Sequence, residues 1–81
     1  MWWMYVKVFE DENTVRYSFA RESYETDGEL EYAKGSEEDP RITKDSVTFG
    51  EYADFEREKI QEHFYHVLQE GFPDRKQVAC G

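Results

Sequence analysis

With 81 residues the chain has room for one domain around one core. Nineteen acidic side chains face ten basic ones, leaving a formal charge of −9. A charge of that size repels DNA, RNA and anionic membranes, which excludes direct nucleic-acid and membrane-surface binding and favours encounter with a basic protein surface.

The chain opens on its longest apolar run, residues 1–6, which is too short to span a bilayer and has neither the basic flank nor the cleavage site of a signal peptide. The stretch WWMYVKVFEDENTVRYSFA predicts a β-hairpin. In its first arm Trp3, Tyr5 and Phe9 share one face and Met4, Val6 and Val8 the other, so both faces are apolar. The Val6 and Val8 face is taken as the core side, although a one-residue slip would exchange the two. Residues 10–13 supply the turn, with Asn13 suited to a left-handed conformation. Val15, Tyr17 and Phe19 alternate with Arg16 and Ser18 in the second arm. A third strand is expected at 29–33, where Leu30 and Tyr32 alternate with Glu29 and Glu31 behind the turn signal Asp27-Gly28. Residues 34–48 carry Gly, Pro and an acid triplet without a sustained period and read as a mobile loop.

A long helix over 49–70 follows. Thr48 and Glu51 have the spacing of a capping box, while Gly71 and then Pro73 mark the far end, with Phe72 able to fold back on Val67. Its apolar stripe of Phe49, Ala53, Ile60, Phe64, Val67 and Leu68 is expected to dock on the sheet, with Phe64 and Leu68 in the core. The tail, 74–81, is either a short edge strand in which Val78 and Cys80 alternate or a frayed end. The lone cysteine, Cys80, cannot close an internal disulfide, which points to a reducing, cytoplasmic setting. The expected fold is therefore α+β: an antiparallel sheet of three to four strands, built from the N-terminal hairpin and a third strand, with one long C-terminal helix on one face.

No phosphate-binding loop, nucleophile turn or paired cysteines occur, and no cofactor or enzymatic activity is expected. His63 and His66 lie one turn apart near Glu62 and Glu70 and Cys80 is the remaining soft ligand, but such a pair is too unspecific to define a metal site. A more suggestive pattern lies on the helix opposite its apolar stripe. Glu51, Asp54, Glu58 and Glu62 fall within about 80° of one another, and Phe55 and Tyr65 border the same face. Aromatics among like charges have the composition of a contact surface with anchors, unless the 34–48 loop or a dimer mate covers them. Three functions are weighed on this basis. The first is an acidic interaction protein that binds a basic surface of a partner, such as a nucleic-acid-binding protein, by mimicking a phosphate row in the manner of small phage anti-defence inhibitors. The second is a homodimeric assembly module built on the Trp-rich hairpin, and the third a small metal-binding protein using His63 and His66.

Overall fold

The structure is a computed structural model that describes residues 1–79. Its strands are β1 (Trp2–Glu10), β2 (Thr14–Arg21), β3 (Gly28–Ala33), β4 (Arg41–Lys44) and β5 (Arg75–Ala79). They form one sheet in the order β4-β3-β2-β1-β5, every neighbouring pair antiparallel. Between β4 and β5 run a 3-10 segment (Val47–Tyr52), α1 (Ala53–His63) and α2 (Tyr65–Gln69), which together lie across one face. The α+β architecture is as expected, with five strands in place of three or four. The two additions come from segments read as loop and tail.

β4 lies within the stretch expected to be a mobile loop. Its four residues escape the alternation test because a run that short, between an acid triplet with Pro40 and the polar residues that follow, has no period to detect. It pairs with β3 through Ile42–Leu30 and Arg41–Glu31. The tail forms β5 beside β1, with Val78 buried; Cys80 lies outside the described residues.

The expected core face of β1 is reversed. Trp3 and Tyr5 face the helices, while Val8 is 52% exposed and Val6 half-buried on the opposite side. Two causes act together. The large rings fill the gap between sheet and helix and their polar ends find partners there, Tyr5 Oη donating to Ile60 O at 2.7 Å. A bulge between Lys7 and Phe9 then sets Phe9 opposite Arg16, so Phe9 joins Val8 on the outer face. Arg16 covers the Phe9 ring from 4.9 Å. Phe64 is fully buried, edge-on to Tyr5 and Tyr17, whereas Leu68 is only partly buried at the rim. Residues 22–27 strap across the outer face, Tyr24 lying 5.0 Å from the Trp2 ring and Thr26 hydrogen-bonding Ser18.

Local chemistry sets the element ends. In the first hairpin the Asp11 carboxylate accepts from the N–H groups of Asn13 and Thr14, so the turn closes without a left-handed Asn13. The helical region starts earlier than expected, and Ser46 rather than Thr48 is its cap, accepting from the Thr48 N–H at 3.1 Å. The Thr48 hydroxyl is diverted to the Arg21 N–H, and Glu51 is left in solvent. Gly50, at φ 58° and ψ −131°, kinks the chain within the 3-10 segment. At the far end Gly71 adopts φ 71° and the Phe72 N–H returns to Val67 O at 3.1 Å, closing the helix as its sequence signals.

Candidate functional site

The docked stripe fixes which residues the helix turns outward. Ile60, Phe64 and Val67 point into the sheet, so Glu51, Asp54, Phe55, Glu58, Glu62 and Tyr65 emerge on the opposite side, all exposed. The 34–48 segment does not cover the aromatics: Phe55 remains 46% and Tyr65 49% exposed.

The four acids differ in their surroundings. Asp54 pairs with Arg57 at 2.9 Å and Glu62 with Lys59 at 3.3 Å, while Glu51 and Glu58 form no ion pair among the described residues. Lys59 also lies 5.3 Å over the Phe55 ring. Arg57 turns away to grip Asp45 through two nitrogens, which holds the Asp45 carboxyl below its usual range and ties the β4 end to the helix. Gln61 Nε2 donates to Pro40 O at 3.0 Å, so the acid triplet at 37–39 reaches the flank of α1 within a few residues' length. Elsewhere the bases are largely consumed internally. Lys7 and Lys34 pair with Glu10, Arg16 and Arg41 with Glu31, and Lys76 with Glu70, leaving an excess of negative charge outward.

Beneath this face lies a residue that the sequence pattern conceals. Glu56 is 2% exposed, its Oε2 accepting from Trp3 Nε1 at 3.0 Å. Its Oε1 lies 3.3 Å from Arg21 Nε, close enough for charge attraction although the N–H is not aligned for a hydrogen bond. Glu56 lies on the docked side, about 155° around the wheel from the outer acids' centre at about 100° per residue, and only that position hinted at its burial. His63 stacks on the other side of Trp3 at 4.7 Å, and burial there holds its imidazole below the ordinary value.

The His63 and His66 rings lie 6.2 Å apart in a stacked arrangement. Among the described residues no group of three or more His, Cys, Asp or Glu converges on a common point for a metal, and no cavity opens. No helix among them is long and apolar enough to cross a membrane. Comparison with protein-family models, curated proteins and solved structures finds no match to this chain.

Proposed function

We propose that this chain is a non-enzymatic, cytoplasmic binding protein that engages a basic surface of a partner protein through the outer face of α1 and the start of α2. The observation that carries this reading is the coincidence, on one exposed face, of Glu51, Asp54, Glu58 and Glu62 with the half-exposed rings of Phe55 and Tyr65. Charged groups around aromatic anchors suit an interface in which the acids speed encounter and the rings set lifetime. Glu51 and Glu58, which form no ion pair among the described residues, are available to a partner's Lys or Arg at no cost in broken ion pairs.

The narrower reading is mimicry of nucleic acid. Carboxylates on successive turns repeat at about 5–6 Å, the scale on which a phosphate backbone is met by basic side chains. A protein that binds nucleic acid would then be the partner, and occupying its groove would inhibit it.

The test is an affinity capture at low and high salt with the wild type, Glu58→Lys with Glu62→Lys, and Phe55→Ala as parallel baits. The reading expects a basic protein retained at low salt by the wild type and lost from both variants. Capture that is equal for all three baits would refute it.

A further inference from the structure

The free edge of β5 has a hydrogen-bonding polarity that its pairing with β1 reveals. Lys7 N–H donates to Asp74 O at 2.8 Å, one step beyond the Val6–Arg75 pair. Bonded and non-bonded pairs alternate in an antiparallel ladder, so Tyr5–Lys76 and Trp3–Val78 carry the bonds to β1. The N–H and C=O groups of Arg75, Gln77 and Ala79 therefore point away from the sheet. The opposite edge is unlike this one: β4 has four residues, follows Pro40 and shifts register against β3. β5 keeps a regular register over its whole length.

We propose that this edge pairs with β5 of a second copy of the chain, antiparallel about Gln77, to make one continuous sheet. The strand's own sequence selects that register. With Gln77 opposite itself, Arg75 meets Ala79 of the other copy and Lys76 meets Val78, and every outward-pointing residue faces another, each such pair closing two backbone bonds. Sliding by one position toward Arg75 brings Lys76 opposite its own copy, and sliding further does the same for Arg75; like charges directly opposed disfavour both. Sliding the other way, with Val78 opposite itself, leaves two outward-pointing pairs among the described residues in place of three. The seam is also the acid-poor part of a chain of charge −9. The outward side chains of β5 are Arg75, Gln77 and Ala79, and beside them on β1 lie Trp2, Met4 and Val6, with no carboxylate among them. On the inner face Lys76 pairs with Glu70 at 2.8 Å, and Asp74 stands just before the strand.

A two-fold axis through Gln77 is perpendicular to the sheet, which puts both helices on the same side. Two copies of the outer helix face would then address one partner surface. The two associations respond oppositely to salt. Two chains of charge −9 repel, so added salt tightens the dimer, whereas it weakens attraction to a basic partner.

Sedimentation equilibrium over a concentration series, at low salt and at about 0.5 M, tests the proposal on the purified chain alone. A monomer–dimer equilibrium that tightens with salt is expected. Gln77→Pro should weaken it at least about tenfold while leaving the thermal melt of the monomer nearly unchanged, because the N–H removed does not bond β1. Gln77→Glu gives a second reading in case the proline variant folds poorly: it opposes two carboxylates at the centre and should weaken the dimer most at low salt. A chain that stays monomeric up to about 1 mM, or a dimer that survives Gln77→Glu at low salt, overturns the proposal. Failure here leaves the single-copy reading of the helix face untouched.

Discussion

Trp3 and Glu56, 53 positions apart in sequence, meet through a 3.0 Å hydrogen bond that joins the first strand to α1 inside the core. Arg21, from the next strand, brings its guanidinium to the same carboxylate. The bond does two things at once. It satisfies the indole N–H of a fully buried ring, and it gives a buried carboxylate both a donor and a nearby cation.

Removing the carboxylate should therefore destabilise the fold although it lies among apolar groups. Glu56→Leu leaves Trp3 Nε1 without an acceptor, at a cost of about 1–3 kcal/mol; Arg21 is partly solvated and loses less. Glu56→Gln keeps an acceptor for the indole and should cost less than the leucine variant. Urea melts of the two variants check this. Equal stability of Glu56→Leu and the wild type would show that the pair contributes nothing.

The reversed faces of β1 give a second expectation. Phe64 touches the rings of Tyr5, Tyr17 and Tyr32, so Phe64→Ala should cost about 3–5 kcal/mol, enough to unfold much of so small a domain. Val8 lies on the open side, and Val8→Ala should change stability by no more than about 0.5 kcal/mol. Thermal melts showing the opposite order would place the core on the wrong face.

The sequence carried some of these features and hid others for identifiable reasons. Val15, Tyr17 and Phe19 alternate against polar neighbours, so β2 and its inward face are legible. β1 is apolar on both sides, and neither period nor propensity can say which face meets a helix; packing and the bulge after Lys7 decide it. Glu56 sits at the edge of the docked side of the wheel, but a glutamate between Phe55 and Arg57 reads as solvent-facing until Trp3 and Arg21 arrive from distant strands. Ser46 displaced Thr48 as the cap because Asp27 and Arg21, both remote in sequence, claim the two hydroxyls' remaining bonds. The outward side of the helix was legible throughout, since one periodic stripe fixes both faces.

Acid should weaken the fold in two stages. Burial lowers the His63 pKa, so as pH falls below about 6.5 the unfolded chain takes up a proton that the folded one resists, and stability declines. The Asp27 carboxyl is lowered by hydrogen bonds from Ser46 Oγ and the Val47 N–H, and the Asp45 carboxyl by Arg57. Their contributions are complete above the ordinary carboxylate range and are lost as pH falls through the lowered folded values, below about 4. Urea melts from pH 8 to pH 3, in about half-unit steps, should show both declines. His63→Gln should flatten the first and leave the second, and an unchanged slope near pH 6 in that variant would locate the effect elsewhere.

The outer helix face yields the sharpest separation of rate effects. Glu58 and Glu62 are exposed, and reversing both to Lys replaces one like-charge pair by another and turns the Asp54–Glu58 repulsion one turn away into an attraction, while removing the Lys59–Glu62 contact. These small terms oppose each other, so the melt should move little, within about 0.5 kcal/mol. Association with a basic partner is a different matter. Each reversal changes the local charge by two units where long-range attraction steers encounter, so the double variant should associate more slowly and lose most of its salt dependence. Phe55→Ala removes a half-exposed ring and its contact with Lys59 but no carboxylate. Its encounter rate should be nearly that of the wild type, while the complex, lacking an anchor, should dissociate faster. Stopped-flow association and dissociation rates, measured against the captured partner at several ionic strengths, separate the two effects. If both variants changed only the dissociation rate, the acids would be acting as ordinary contacts and not as a steering field. If neither rate changed in either variant, the helix face would be a solubilising surface and the partner would be held by another part of the molecule.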